Sequence, residues 1–133
     1  MGHYTSLSGV NHEFLCGTVT MRNAARMVEE ADYYQALLHG YPQQFSIDGI
    51  KTPAKEVARS LLQSGFQKGT PVRLISCWTG VDADGAAYQL SRYLKSSITA
   101  PTNKVQVLPG GSYLIDDGGR WKTFFSTIIT PVR

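Results

Sequence analysis

The sequence contains few cysteines, few charged residues and no long hydrophobic run. Its two cysteines, Cys16 and Cys77, allow one disulfide at most, whereas small secreted proteins held together by disulfides have a far higher cysteine density. No apolar stretch is long enough to cross a membrane, and the N-terminus lacks the basic-then-apolar pattern of a secretion signal. We therefore expect neither a disulfide-stapled mini-protein nor a membrane protein, and we interpret both cysteines as free thiols. The alternative is a disulfide between them, which would rule out Cys77 as a nucleophile in that form.

Motifs for cofactors and metal ions are missing as well. Pro109-Gly110-Gly111 lies between two strand candidates and does not open a helix, so it is not a phosphate-binding loop. Asp82 and Asp84 are not followed by the other oxygen ligands and the terminal glutamate of an EF-hand loop. No set of cysteines and histidines has a zinc-binding spacing. We expect neither a cofactor nor a bound metal ion.

What the sequence does contain is typical of one globular domain. The chain has 133 residues, of which 42% are hydrophobic and 17% are charged, enough to build one hydrophobic core. We expect a single domain over 1–133, with residues 1–10 loose. The net charge of +3 and the pI near 9.0 are mildly basic, and the lysines and arginines are scattered, so nucleic-acid binding is permitted but not indicated.

Two short apolar runs end in residues that can carry out chemistry. The run over 71–80 begins as a buried strand and reaches Cys77, where turn residues follow. The run over 33–42 is also strand-like and ends at His39-Gly40, before a proline. A nucleophile and a base thus follow two separate strands.

The segment between the two runs predicts one helix. Thr52 is the expected N-cap, Pro53 takes the first helical position and Gly65 ends the helix. A strand, a crossover helix and a second strand form a parallel βαβ unit, which brings both carboxyl ends to one edge of the sheet. We therefore expect His39 and Cys77 to face the same crevice.

The remaining patterns complete a small α/β fold. We expect a short hairpin around Asp48-Gly49, a helix from Gly85 to about Lys95 with Asp84 as N-cap, and a parallel strand that ends near Thr102. Further expected elements are a strand within 11–20, a helix over 22–31, a hairpin over 105–108 and 112–115, and a strand over 120–125. The predicted fold is a small, mainly parallel sheet flanked by helices, with a C-terminal antiparallel β extension.

Five segments in this order carry a family resemblance: His39-Gly40, 52–58, 72–80, 100–102 and 118–124. A strand ending in His-Gly, then a helix, then a strand ending in Cys resembles the caspase-like (clan CD) cysteine peptidases. These include clostripain, gingipains and the self-processing protease domains of large bacterial toxins. The set resembles more closely a module at the C-terminal tips of bacterial polymorphic toxins, and the likeness runs from about Tyr33 to Phe125.

The resemblance implies a fold, a dyad and a biological setting. The fold would be half of a caspase-like or flavodoxin-like domain, and the dyad would be His39 and Cys77. The domain would be delivered as part of a larger secreted bacterial protein and act on a protein substrate in the cytoplasm of a target cell. A cognate immunity protein, acidic and tightly bound, is the implied partner.

The chemistry expected of this dyad is acyl transfer. His39 would assist deprotonation of Cys77, the thiolate would attack a carbonyl carbon, and backbone N–H groups over 78–80 would hold the oxyanion. The N-terminus of the helix after Gly85 would lower the pKa of the thiol. Peptide hydrolysis, glutamine deamidation and a related amide cleavage all remain open.

Other residues near the two motifs have a functional and a structural interpretation. Asp48 could orient His39 or only form a turn, Trp78 could shape a pocket or pack in the core, and Thr102 could contact a substrate or only end a strand. The neighbouring candidates within the motifs are Gly40, Ser76, Thr79 and Gly80.

Two alternatives belong to other functional classes. A nuclease toxin could use His39 with lysine or arginine for metal-independent phosphoryl transfer, and it would survive replacement of Cys77. A non-enzymatic binding module of the same fold would need neither residue for its function.

Overall fold

The computed structural model describes residues 3–6 and 30–125. The strand expected within 11–20 and nearly all of the helix expected over 22–31 lie outside these ranges. The described elements are β1 (His3–Ser6), β2 (Tyr34–Leu37), β3 (His39–Gly40), β4 (Phe45–Ile47), β5 (Ile50–Thr52), α1 (Ala54–Gln63), β6 (Val72–Ile75), α2 (Ala86–Leu94), β7 (Ile98–Pro101), β8 (Val105–Val107), β9 (Tyr113–Ile115) and β10 (Trp121–Phe124).

Five strands form the central sheet in the order β1-β2-β6-β7-β10. The first four are parallel to one another, and β10 pairs antiparallel with β7. Parallel neighbours need crossover connections, and α1 and α2 lie in those between β2 and β6 and between β6 and β7. The protein is therefore mixed α/β, with a mixed sheet. Residues 3–6, expected to be loose, instead form β1 and pair with β2.

Side chains of the central strands alternate between the two faces of the sheet. One face packs against α1 and α2 and includes Tyr34, Ala36, Val72, Leu74, Ile98 and Ala100. The other face holds Leu37, Ile75 and Cys77 against Val105 and Val107 of β8. Both helices of the described chain thus lie on one side, and the β8–β9 hairpin covers the other.

The helix α1 ends as its sequence predicts. Its buried side is Ala54, Val57, Ala58 and Leu61, the spacing of an amphipathic helix. Gly65 has a φ of +99°, and the N–H of Phe66 donates to the carbonyl of Leu61 at 3.0 Å. These are features of a Schellman C-terminus, so the predicted stop at Gly65 is confirmed.

The predicted start of α1 is wrong by one residue. Pro53, not Thr52, occupies the N-cap position and no side chain caps the helix. The hydroxyl of Thr52 is used elsewhere, because it donates to the carbonyl of Ile50 at 2.8 Å within β5.

The predicted cap of α2 is also wrong. Asp84 makes no capping hydrogen bond, and the glycine that follows it takes the N-cap position. The N–H of Ala86 donates to the carbonyl of Pro42 at 2.9 Å. The N–H of Ala87 donates to the carbonyl of Thr79 at 3.0 Å. The first turn of α2 is therefore held by carbonyls from two loops rather than by a side chain.

The run over 33–42 is not one continuous strand. β2 stops at Leu37, and His39–Gly40 form β3, which pairs antiparallel with β4. The β4–β5 hairpin turns at Asp48 and Gly49, whose φ angles are +53° and +79°. Two consecutive positive φ angles are typical of the type I′ turns that connect short hairpins, so the expected hairpin is confirmed.

The C-terminal β extension is confirmed and is anchored by a partly buried polar cluster. Arg73 of β6 forms an ion pair with Glu30 at 2.9 Å, and the hydroxyl of Tyr113 in β9 donates to Glu30 at 3.3 Å. The Arg73 guanidinium lies 4.5 Å from the ring centre of Tyr33 and 4.6 Å from that of Trp121. Cation–π contacts and shared hydrogen bonds therefore join β6, β9 and β10 on this face.

In the described part of the chain, neither helix has the length and apolarity needed to span a bilayer.

Candidate functional site

His39 and Cys77 lie at equivalent positions beyond two neighbouring parallel strands. Leu37 of β2 pairs with Ile75 of β6, and each candidate residue follows its strand's last residue by two positions. The N–H of Leu38 still donates to the carbonyl of Ile75 at 3.2 Å. Both residues therefore follow the carboxyl ends of adjacent parallel strands, as expected, and the expectation that they face one crevice stays a prediction.

Gly40 brings the two strand ends into direct contact. A Cβ atom at residue 40 would overlap the Oγ of Ser76, lie 2.5 Å from the Cγ2 of Thr79 and lie 2.9 Å from the carbonyl oxygen of Cys77. Only glycine allows this approach of the β3 backbone to the turn after β6. The His39-Gly40 pair therefore has a packing role as well as any chemical one.

Cys77 is not a free thiol. Its side chain is fully buried, and its sulfur is part of a disulfide. The only other cysteine of the sequence is Cys16, which lies outside the described residues. The expectation of a free thiol at position 77 is therefore wrong, because sequence spacing does not show which distant residues fold together.

The sulfur of Cys77 faces the covered side of the sheet. It packs with Leu37, Ile75 and Val107, and the N–H of Val105 donates to it at 3.4 Å. In this oxidised form the sulfur is neither exposed nor nucleophilic.

The turn after β6 uses most of its backbone donors internally. The N–H of Trp78 donates to the carbonyl of Asn103 at 3.1 Å, and that of Gly80 donates to the carbonyl of Pro101 at 2.9 Å. The N–H of Thr79 makes only a long bond of 3.5 Å, to Ser76. The expectation that all three N–H groups hold an oxyanion is wrong for Trp78 and Gly80, which instead bind the chain at the end of β7.

The side chains of this turn have mainly structural contacts. Trp78 adopts a left-handed φ of +62°, and its half-buried ring lies 5.6 Å from the ammonium of Lys104. Thr79 is buried and donates its hydroxyl to the carbonyl of Ser76 at 2.8 Å. A Cβ at Gly80 would lie 2.7 Å from the carbonyl oxygen of Ala100, so glycine is required there for close packing.

His39 is held by a tyrosine rather than by Cys77. Its Nε2 lies 3.0 Å from the hydroxyl of Tyr41, and the two rings meet edge to face at 4.9 Å. Its Nδ1 is buried and has no hydrogen-bond partner in the described chain. Burial of the ring lowers its pKa from the ordinary value of 6.5, because desolvation disfavours the imidazolium. At neutral pH His39 is therefore a neutral base.

Ser76 is the second buried polar group at this position without a partner. Its side chain is fully buried, and its hydroxyl makes no hydrogen bond within the described residues. Buried polar groups normally find a partner. Together with the Nδ1 of His39, this hydroxyl gives the site two buried polar groups without a hydrogen-bond partner in the described chain.

Asp48 and Thr102, two of the predicted supporting residues, make structural contacts in the described chain instead of contacting His39 or Cys77. Asp48 lies exposed in the β4–β5 turn and is not a hydrogen-bond partner of either nitrogen of His39, which fits its interpretation as a turn residue. Thr102 accepts the N–H of Arg120 on its hydroxyl at 2.9 Å and donates its own N–H to the Arg120 carbonyl at 2.9 Å. It therefore joins the end of β7 to the start of β10.

The helix α2 does not direct free backbone donors at the thiol. The N–H groups of Ala86 and Ala87 are bonded to Pro42 and Thr79, and Cys77 packs on the sheet face opposite to this helix. The expectation that the α2 N-terminus lowers the pKa of the thiol therefore has no support from the described geometry.

Sequence reasoning missed Tyr41, whose hydroxyl lies beside the imidazole, and Val105, whose N–H donates to the sulfur. Tyr41 follows His39 by two positions, a spacing that places side chains on the same side of an extended chain and could have indicated the contact. Val105 carries no comparable signal, because its contact with Cys77 depends on how the hairpin folds over the sheet.

Comparison with known proteins gives one match. A family model, described as a domain of unknown function (DUF8616), matches residues 10–115, which is most of the chain. No curated protein and no solved structure matches significantly.

Proposed function

The chain belongs to the DUF8616 family, and we propose that it is a cysteine hydrolase that acts on an amide bond in its reduced form. Cys77 is the nucleophile and His39 the base. The substrate is a protein of a target cell, and the reaction is peptide hydrolysis or deamidation. We further propose that the fold is half of a caspase-like domain.

One observation carries this proposal: the shared register of His39 and Cys77. The pairing of Leu37 with Ile75 puts a base and a sulfur beyond adjacent parallel strands, at the edge where α/β proteins place their ligands. The order of a His-Gly strand end, a crossover helix and a cysteine strand end also supports the resemblance to caspase-like peptidases. The lowered pKa of His39 leaves it unprotonated at neutral pH and able to accept a proton.

Catalysis requires that the disulfide of Cys77 be opened first. Two equivalents of a small thiol, or one dithiol, would reduce the disulfide to two thiols and become oxidised to a disulfide themselves. Reduction frees the Cys77 sulfur, which would then leave its contact with Val105 to face the carboxyl edge. The disulfide form is therefore the inactive state, and the reducing cytoplasm of a target cell is the compartment that supports activity.

The reaction itself would follow ordinary acyl transfer. His39 takes the proton of the Cys77 thiol as the sulfur attacks the carbonyl carbon, and it gives that proton to the leaving nitrogen as the C–N bond breaks. Water then hydrolyses the thioester with His39 as base, releasing the acid and restoring the thiol. The N–H of Thr79 is the oxyanion donor that this turn can supply most readily, because its present bond is the longest of the three.

The biological setting is proposed from the resemblance alone. The domain would be the toxic tip of a larger secreted bacterial protein, and a cognate immunity protein would bind and neutralise it.

A non-enzymatic binding module is the second candidate. It is favoured by the complete burial of Cys77, its disulfide, and the occupied N–H groups of Trp78 and Gly80. The nuclease alternative receives no comparable support, because no lysine or arginine contacts His39 in the described residues.

Growth of bacteria after cytosolic induction of the domain separates these functions. We expect wild type and Cys16→Ala to stop growth, and Cys77→Ala and His39→Ala to be harmless while soluble and folded. Cys16→Ala is the matched control, since it also removes the disulfide but keeps the nucleophile. Equal killing by wild type and Cys77→Ala would refute thiol catalysis, and loss of RNA integrity in those cells would indicate a nuclease.

A further inference from the structure

The two helices form a groove on the face of the molecule away from the sheet. α1 and α2 pack side by side. A depression of about 420 Å³ is lined by α1 residues and by Tyr93 of α2, and a second of about 390 Å³ is lined by α2 residues and Lys95. Tyr93 lines both depressions and so joins them into one groove. The groove is separate from the carboxyl edge and is used by neither His39 nor Cys77.

The middle of the groove is apolar. Tyr93 is 47% exposed and Leu62 is 37% exposed, whereas the small residue Ala58 of the same depression is buried. The hydroxyl of Tyr93 makes no hydrogen bond to the described chain. A large aromatic ring and a leucine beside a small residue provide the surface into which an apolar side chain of another molecule can pack.

The borders of the groove are positively charged. Lys55 and Arg59 line it on α1, and Arg92 and Lys95 line it on α2. Among the described residues, Arg59 forms an exposed ion pair with Glu56 at 3.2 Å, and exposed pairs of this kind are weak. The groove therefore combines an apolar centre with an excess of positive charge.

We propose that this groove binds an acidic amphipathic helix of a partner protein. Apolar residues of that helix, spaced by three and four positions, pack on Leu62, Tyr93 and Ala58, and its carboxylates meet the four basic side chains. A nucleic acid also carries negative charge, and its bases can stack on Tyr93. Leu62 and Ala58, however, offer a base neither hydrogen bonds nor stacking, whereas both can pack against the apolar side of a helix. The ten residues of α1 give the groove a length of about 15 Å, enough to contact roughly three turns of a helix.

The test uses a labelled synthetic peptide of about 18 residues, with leucines at helical spacing and glutamates elsewhere. A scrambled peptide of the same composition and a single-stranded RNA of similar length are the matched probes. Binding to the whole domain is followed by fluorescence anisotropy. We expect micromolar binding of the amphipathic peptide, and binding at least tenfold weaker for the scrambled peptide and the RNA.

Three variants locate the binding. Leu62→Ala with Tyr93→Ala should weaken binding about tenfold, a loss of about 1.4 kcal/mol, and Lys55→Glu with Arg92→Glu should weaken it at least as much. Lys68→Glu, in the loop after α1 and outside both depressions, should leave it unchanged. Absence of peptide binding, equal binding of the scrambled peptide, tighter binding of the RNA, or equal effects of all three variants would each overturn the proposal.

Discussion

The backbone of Gly40 packs directly against the hydroxyl of Ser76, so the strand that carries His39 and the turn that carries Cys77 touch with no space for a side chain between them. This contact links the two halves of the candidate site. It also explains why a glycine follows His39, independently of any catalytic role.

Replacing Gly40 should destabilise the fold. In Gly40→Ala the new Cβ meets Ser76, Thr79 and the Cys77 carbonyl, so we expect the free energy of unfolding to fall by about 1–3 kcal/mol. Gly110→Ala is the control, because a Cβ there meets nothing within 4 Å, and its effect should stay within about 0.5 kcal/mol. Chemical denaturation measures both, and equal stabilities of the two variants would show that the close contact is absent.

The sequence predicted the parallel βαβ unit well, because its signals are local. The apolar run at Val72–Ile75, the amphipathic stripe of α1 and the glycine at position 65 each act within a few residues. The two helix caps were wrong because the competing hydrogen bonds of Thr52 and of the first turn of α2 come from a hairpin and a loop. Such competition cannot be seen in a sequence pattern.

The sequence predicted where the candidate site lies, but not that Cys77 is oxidised or that the backbone N–H groups of its turn are already hydrogen-bonded. The strand order placed His39 and Cys77 at one edge, as found. The disulfide, the bond from Val105 and the filled N–H groups of Trp78 and Gly80 all depend on residues far away in sequence. Long-range contacts of this kind produce no periodicity or spacing in the sequence from which they could be predicted.

The protonation of His39 can be measured directly. We expect an NMR titration to give a pKa below 6.5, since burial disfavours the charged ring. In Tyr41→Ala the ring loses its edge-to-face neighbour and gains water, so its pKa should move up toward 6.5. In the wild type, the unfolded chain binds more protons than the folded chain below pH 6.5, because the pKa of His39 is lowered only in the folded state. The free energy of unfolding of the wild type should therefore fall as the pH drops from 6.5 toward the lowered pKa. A pKa at or above 6.5 in the wild type would contradict the burial of this ring.

Alkaline pH should destabilise the fold by ionising Tyr113, which belongs to the polar cluster of Glu30, Arg73 and Tyr113. Burial, only partly opposed by the hydrogen bond from Gln35, raises the pKa of Tyr113 to about 12 from 10.0. The protonated form is therefore favoured in the folded state. Its contribution to stability is complete below pH 10 and is lost as the pH rises toward 12.

The variant Tyr113→Phe isolates this effect from the other tyrosines. Unfolding by denaturant at several values between pH 9 and pH 12 should show a steeper loss of stability in wild type than in the variant. Parallel curves would mean that the hydroxyl of Tyr113 is not shielded from water.

The disulfide of Cys77 predicts the number of reactive thiols. Denatured protein prepared without reductant should take up no maleimide label, and reduced protein should take up two labels, one for each cysteine. Cys16→Ala should take up one label under both conditions, and mass spectrometry counts the additions. Two labels on unreduced wild type would show that both cysteines are free.

The central claim is that His39 activates Cys77 once the disulfide is open, and the rate of alkylation of Cys77 tests it without a known substrate. The measurement compares Cys16→Ala with the double variant Cys16→Ala/His39→Ala, both native and reduced, reacting with iodoacetamide near pH 7. A working dyad predicts that loss of His39 slows the alkylation at least about tenfold, because the thiol loses its base. Equal rates in two folded proteins would contradict the dyad and leave the binding module as the better account.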